Sequence, residues 1–504
     1  MSYVIAYDLG TTGNKATLYS IDGKLLASSF FSYRTFYPGP NQVEQDPEEW
    51  WMSVKITTLE LLSKAAIDPQ KIKAVSFSGQ MMGAIPVDRN GKTLRRAIIW
   101  ADQRSVEQAA KLEKLGNDTV YRLTGSRITP TYSGPKIAWI KDNEPETYRR
   151  AHKFLLTKDY IISRLTGEFG TDPTDASMTL LFDIKNWKWS QLLVDTLGLD
   201  MEKLPEVFAS TSVVSTILPG VAKELGLSEK TLVIRGGGDG ACACLGAGVV
   251  SSDEAYLYLG SSSWISTCSK EPVFDEKSRT FNFAYPIEGY YCPCGTMQAG
   301  GASYHWAKDA LCQLEEEKGK SLGLSTFTLM DDLVDSTKPG AGNLIFLPYL
   351  LGERSPRWNI NARGAFIGLS STHRKQDMLR AVMEGVTFNL KIILDILEKD
   401  GKFDKIRLIG GGAKGRNWKQ IVADIFGKTV TIPEYLEEAT SMGAAIIGAV
   451  GAGEMTLKEA STFVKDVQFI SPRMEVHEKY LRLFEVFDKA YISLIEVYED
   501  LAEM

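Results

Sequence analysis

Cysteine and histidine are scarce in this chain. Six cysteines and four histidines in 504 residues are too few for a disulfide framework, and Cys242/Cys244 and Cys292/Cys294 have one intervening residue where zinc ribbons have two. Small buried thiols in a reducing compartment are the expectation. None of His152, His305, His373 and His477 stands at metal-ligand spacing from another. Long apolar runs are missing as well. Residues 443–453, the most apolar later stretch, fall far short of the roughly 18–20 needed to cross a bilayer. The N-terminus enters an apolar segment at residues 3–7 without the basic leader of a signal peptide. A balance of 57 Lys+Arg against 63 Asp+Glu gives a net charge of -6, and without a basic block nothing draws the chain to nucleic acid or anionic lipid. A cytoplasmic protein is the expectation.

What is present is an ordinary globular composition, 44% hydrophobic, at a length that exceeds the roughly 250–300 residues of one hydrophobic core. Residues 3–7 read as a buried strand, Asp8-Leu-Gly-Thr-Thr-Gly as a tight turn, and residues 15–20 and 24–30 as two more strands of a meander. Asp46-Pro47-Glu48-Glu49 supplies an N-cap, a first-turn proline and acidic residues for the helix that follows. A strand at residues 74–78 comes next.

The same pattern returns later, with a strand at 255–259, a Gly260-Ser-Ser-Ser bend and a strand at 264–269. Leu232-Val-Ile-Arg ends in Gly236-Gly-Gly-Asp-Gly, and Lys405-Ile-Arg-Leu-Ile ends in Gly410-Gly-Gly-Ala-Lys-Gly before a helical pattern at 416–426. The reading is an internally duplicated α/β protein with domains at 1–250 and 251–504, packed around a cleft. Three glycine-rich bends directly after apolar strands let backbone N–H groups approach an anion, as phosphate or nucleotide loops do. Asp8 adds a carboxylate suited to a divalent metal, and Thr11, Thr12, Ser261 and Ser262 add hydroxyls.

Taken together these segments resemble the FGGY family of carbohydrate kinases, within the actin, hexokinase and Hsp70 superfamily. The resemblance spans nearly the whole chain. It includes Asp8-Leu-Gly-Thr-Thr-Gly, Trp100-Ala-Asp-Gln-Arg, Lys158-Asp-Tyr, Arg164-Leu-Thr-Gly-Glu, Asp172-x-x-Asp-Ala-Ser, Gly236-Gly-Gly-Asp-Gly, Leu347-Pro-Tyr-Leu-Leu-Gly-Glu-Arg-Ser-Pro, Gly364-Ala-Phe-Ile-Gly-Leu and Asp377-Met-x-x-Ala-Val-Met-Glu-Gly.

The resemblance implies two ribonuclease-H-like domains flanking a catalytic cleft, with ATP and Mg²⁺ as cofactors. Asp239 matches the family's catalytic base, which accepts the proton of a sugar hydroxyl as it attacks the γ-phosphorus. Asp8 matches the metal position. Gly10, Thr11, Thr12, Gly260, Ser261 and Ser262 match the phosphate loops, and Gly411, Gly412, Ala413 and Asn417 the adenosine segment.

Gln80, Met81, Met82, Trp100, Asp102 and Arg104 match the sugar pocket together with Asp239. Ketopentose kinases similar to xylulokinase show Gly-Gln-Met-His-Gly where this chain has Gly79-Gln-Met-Met-Gly, so a thioether replaces an imidazole. D-Xylulose is the leading substrate expectation. Another ketose, a polyol, gluconate or the autoinducer 2 precursor are the alternatives within the family, and an actin-like or Hsp70-like ATPase is the alternative outside it. A homodimer is compatible with the resemblance. Glu437-Glu438 and the acidic C-terminal segment read as solvated helix faces.

Overall fold

The computed structural model describes residues 2–399 and 401–504. The first half is built on strands β1 (Tyr3–Leu9), β2 (Gly13–Ser20) and β3 (Leu25–Ser32), helix α1 (Pro47–Ala65) and strand β4 (Ile72–Gly79). Helices α2 (Ser133–Asn143), α3 (Thr157–Thr166) and α4 (Pro173–Ala176) follow, then strands β5 (Val213–Thr216), β6 (Leu232–Ile234) and β7 (Gly237–Gly238) and helix α5 (Asp239–Gly246). Val4, Ile5, Ala6 and Tyr7 are all buried, because β1 is a central strand covered on both faces, which suits an unbroken apolar run. Asp46 caps α1 by accepting from the Glu48 amide at 3.0 Å. The strands run in the order β5-β6-β4-β1-β2-β3, with β7 paired to β4.

The second half repeats this plan. Strands β8 (Glu254–Leu259), β9 (Ser263–Thr267), β10 (Phe281–Ala284) and β11 (Tyr291–Met297) precede helix α6 (Lys375–Leu397), strand β12 (Lys405–Ile409), helix α7 (Arg416–Phe426), strand β13 (Thr429–Pro433), helix α8 (Ala439–Gly451) and strand β14 (Asp466–Ile470). Its sheet has the order β10-β11-β9-β8-β12-β13-β14. In each sheet the leading strand pairs antiparallel with its hairpin partner and parallel with a later strand (β1 with β2 and β4, β8 with β9 and β12).

Two helices form one of the contacts between the halves. α8, from late in the chain, lies against β1 and β4 of the first sheet and against α5. The crossing is close because both helices offer glycine. A Cβ on Gly443 would stand 1.9 Å from the Cys242 carbonyl oxygen, and one on Gly246 would stand 1.8 Å from that of Ala439. All six cysteines are free and buried. No helix among the described residues is long and apolar enough to cross a membrane.

Glu438 departs from the expectation of a solvated face. It precedes α8 and forms an ion pair with Lys15 of β2, joining the two halves, with 14% of its side chain exposed. Of this pair only Glu437 is exposed, and it pairs with Lys414, while Glu496, Glu499 and Asp500 in the C-terminal segment are exposed.

Candidate active site

The geometry begins with strand register. β1 and β4 run parallel with Asp8 beside Ser78, and β7 runs parallel to β4 with Gly237 beside Ser78 and Gly238 beside Gly79. Asp8, Ser78 and Gly237 therefore form one row at the carboxyl ends of adjacent parallel strands, where open α/β sheets hold their ligands. Asp239 follows immediately at the start of α5. The chain reaches it through Gly236, whose φ of +75° and a hypothetical Cβ 2.1 Å from the Phe77 carbonyl oxygen allow no other residue.

Burial pushes the Asp8 carboxyl up to about 6, opposed by Ser78 and Lys15. Burial, and then the Asp8 charge, push Asp239 up to about 7. Lys15, the cation that bears on Asp8, is itself paired with Glu438. Two mutually repelling carboxylates with so little opposing charge suit a divalent cation that takes one or two carboxylates and completes its shell with water and phosphate oxygens. No cluster of three or more metal-ligating side chains occurs among the described residues, in keeping with such a sparse donor set.

Gly10, Thr11 and Thr12 form the turn between β1 and β2. The Thr11 hydroxyl accepts from Trp100 Nε1 at 2.8 Å and its carbonyl from Gln45 Nε2 at 2.7 Å, while Thr12 is exposed. Gly260, Ser261 and Ser262 form the matching turn between β8 and β9. Here the Gly260 and Ser261 carbonyls accept from Gly301 and Ala302 at 2.6 and 3.0 Å, which fixes the loop against the start of the helix Gly301–Leu311. A cavity beside it is lined by Ser261, Ala302, His305, Trp306, Asp309 and Ala310. The third bend, Gly410 to Ala413, lies on β8, since a Cβ on Gly412 would meet Leu259 at 2.4 Å.

The loop after β4 carries Gln80, Met81 and Met82. Gln80 Nε2 donates to Gln45 Oε1 at 2.7 Å, whereas its own Oε1 is buried and finds no hydrogen-bond partner among the described residues. Met81 packs on Gly238, where a Cβ would come within 2.6 Å of its side chain. Met82 takes a left-handed backbone, φ 62°, uncommon for a residue with a side chain.

Three of the expected site residues have partners within the protein. Asp102 is completely buried and accepts from the Val43 amide and, at 2.7 Å, from Arg104 Nη2. Arg104 is only 4% exposed and also pairs with Glu44 at 2.9 Å. Both therefore brace the loop that carries Trp100. Asn417 donates to the Asp331 carbonyl at 2.9 Å, so its amide ties α7 to a neighbouring helix.

Lys136 is a functional candidate that the sequence reading missed. It is fully buried in α2, and its ammonium donates to the carbonyls of Met82 and Ile99, each at 2.8 Å, and to that of Thr131. Its signal is faint, a lysine on the apolar face shared by Ile137 and Ile140.

Comparison with known proteins decides the family. The model of the FGGY family N-terminal domain matches residues 3–246, and that of its C-terminal domain matches residues 255–452. The chain belongs to the FGGY family of carbohydrate kinases. The xylulose kinase of Bacillus subtilis (strain 168) is 33% identical over 494 residues, covering 97% of each chain. The gluconokinase of the same strain is 31% identical over 507 residues, covering 100% of this chain and 98% of its own. The crystal structure of a ligand-bound xylulose kinase from Lactobacillus acidophilus has a TM-score of 0.91 at 31% identity, covering 99% of this chain and 100% of that one. This FGGY chain is thus an ATP-dependent sugar kinase with the two-domain α/β fold of the actin/hexokinase-like superfamily, which sets aside the actin-like or Hsp70-like ATPase reading.

Proposed function

We propose that this FGGY kinase transfers the γ-phosphate of ATP to a hydroxyl of D-xylulose, with Asp239 as the base. The observation that carries the reading is the shared strand row. The loop with Gln80 and Met81 and the loop with Asp239 leave neighbouring strands side by side, with Met81 packed on Gly238. A sugar held by the first loop would therefore present a hydroxyl to the second. The unpartnered Gln80 Oε1 would accept from a second sugar hydroxyl.

Asp239 would take the proton of the attacking oxygen, a step that depends on holding donor and acceptor in line. Near neutral pH a carboxyl at about 7 is matched to that task. Thr11, Thr12, Ser261 and the backbone amides of both hairpin turns would orient the phosphates. Asp8, with Asp239 close by, would hold Mg²⁺, which supplies charge neutralisation at the phosphate oxygens. Gly411, Gly412 and Ala413 would lie along the adenosine. The division into domains 1–250 and 251–504 would let closure over the cleft exclude water from the phosphate being transferred.

Gluconate is the second reading, because the gluconokinase relative matches the chain at nearly the identity of the xylulose kinase. Met82 would bear on the choice, since a thioether cannot make the hydrogen bond an imidazole makes. ADP release with Mg-ATP, measured across D-xylulose, D-gluconate, other ketoses, polyols and the autoinducer 2 precursor, tests the proposal. A kcat/KM for D-xylulose at least about tenfold above every other sugar supports it, and a comparable preference for gluconate replaces it with the second reading.

A further inference from the structure

One buried assembly has no task in the chemistry described so far. Lys158 of α3 has no exposed side-chain surface and pairs with three carboxylates that have none either, Asp159 at 2.6 Å, Asp172 at 2.9 Å and Asp175 at 3.0 Å. Removing one cation and three acids from water is costly unless they are well paired. Burial holds Asp175 well above the usual carboxylate range, so the cluster carries less charge than its four groups suggest. Even so, an apolar core would fill this volume at less cost.

The far side of the cluster is mechanical. Asp172 Oδ2 accepts three hydrogen bonds, from Thr174 Oγ1 at 2.6 Å, from the Thr174 amide at 3.0 Å and from Ser210 Oγ at 2.7 Å. A hydroxyl has one proton, and Thr174 directs it at Asp172. Its oxygen is therefore left as an acceptor, and it accepts from the Gly238 amide at 2.7 Å. Gly238 is the residue before Asp239. The same two-residue strand is held on its other side by pairing with Ser78 and Gly79, and Gly79 has its own Cα against Lys158, where a Cβ would stand 3.2 Å from the lysine Cβ.

We propose that Thr174 is a positioning residue for phosphoryl transfer: its hydroxyl, oriented by Asp172 and Lys158, fixes the Gly238 amide and thereby aims the Asp239 carboxylate. The proposal rests on Asp239 being the base. A hydroxyl free to rotate would turn its proton toward the amide for part of the time and loosen the loop. The short bond to a lysine-anchored carboxylate removes that freedom. Misplacing a reacting group by about 1 Å can lower a rate by about 100-fold, so a loop fixed from both flanks matters to the rate more than to the fold.

Thr174→Val keeps the volume and removes the oxygen, while Thr174→Ser keeps the oxygen. The valine variant is expected to lower kcat by about 10–100-fold with KM for sugar and ATP within about threefold of the parent, and the serine variant to restore kcat to within about threefold. In an Asp239→Asn background the valine change is expected to add less than about twofold, because its effect runs through that carboxylate. A valine variant with parental kcat, a serine variant equally impaired, or full additivity with Asp239→Asn overturns the proposal. Should the valine variant not fold, Ser210→Ala removes one of the bonds that hold Asp172. A loss of kcat at unchanged KM and Tm then supports the relay, and unchanged kcat overturns it. Asp239→Asn alone separates the two claims, since a variant that keeps its rate refutes the base itself, whatever Thr174→Val does.

Discussion

Lys136 donates to the main-chain carbonyl of Met82 at 2.8 Å. The bond joins a lysine with no solvent contact to the residue at which this kinase differs from the xylulokinase-like motif. It also holds Met82 in its left-handed backbone, since the same ammonium is fixed by Ile99 and Thr131. The loop before Trp100, the loop after Gly79 and the entry to α2 thus converge on one nitrogen.

Replacing Lys136 with methionine leaves three carbonyls without that donor, at about 1–3 kcal/mol for each that stays buried and unpaired. We expect a lower Tm and a sugar KM raised about tenfold or more, with KM for ATP within about twofold. Equal changes in both KM values would show a general loss of structure instead. Burial pulls Lys136 down to about 7, with Asp102 opposing and Arg104 assisting. A neutral amine has only two N–H donors for three carbonyls. The parental sugar KM is therefore expected to rise as pH increases above about 7, and a KM that is flat from pH 6 to 9 would contradict this.

Met82→His restores the side chain of the xylulokinase-like motif at a position whose φ is 62°, a region histidine enters more readily than most residues. The variant is expected to fold and to shift the ratio of kcat/KM for D-xylulose over gluconate by about tenfold, the effect of one sugar hydrogen bond. Met82→Val, β-branched, is expected to lose about 1–2 kcal/mol of stability to backbone strain, visible as a lower midpoint in urea.

Asp239→Asn removes the proposed proton acceptor and is expected to lower kcat by about 100-fold or more while ATP still binds. More than about 10% residual rate would remove Asp239 from the base role. Burial and Asp8 push this carboxyl up to about 7, so a base at this position would lose its activity on protonation as pH falls. The parental kcat should therefore rise with pH through about 7 and level off above it, with charge neutralisation near Asp8 moving the midpoint lower. A profile that falls over this range would contradict the assignment.

Gly443→Ala forces a Cβ to within 1.9 Å of the Cys242 carbonyl. The helices α5 and α8 must separate to admit it, at a cost of about 1–3 kcal/mol or more. Thermal unfolding is expected to fall by several degrees, whereas Gly289→Ala, at a surface glycine with nothing near its Cβ, is expected to be far milder despite its positive φ.

Much of this arrangement was legible in the sequence because its signals are local. Glycines after apolar strands mark the bends at Gly236, Gly260 and Gly410, and Asp46-Pro47 marks the start of α1. The strand at residues 405–409 and the helix at 416–426 coincide with β12 and α7. What escaped depends on how side chains fold onto one another, often across long stretches of chain. Glu438 looks like one more surface acid until Lys15, 423 positions away, meets it. Asp102 reads as a lone loop carboxylate until Arg104 folds back on it and Val43 caps it. Lys136 looks like an ordinary helical lysine until three carbonyls from separate loops surround it.

The packing of α8 on β1 and β4 has a consequence for synthesis. When residues 1–250 leave the ribosome, their sheet has every strand it needs and yet one bare apolar flank, because its cover is Ala439–Gly451. Until that helix is made this face has no cover, and exposed apolar surface of this kind is what chaperones attend. The two halves follow each other along the chain but are interlaced in space, so a split at residue 250 would yield two fragments that fold only in each other's presence.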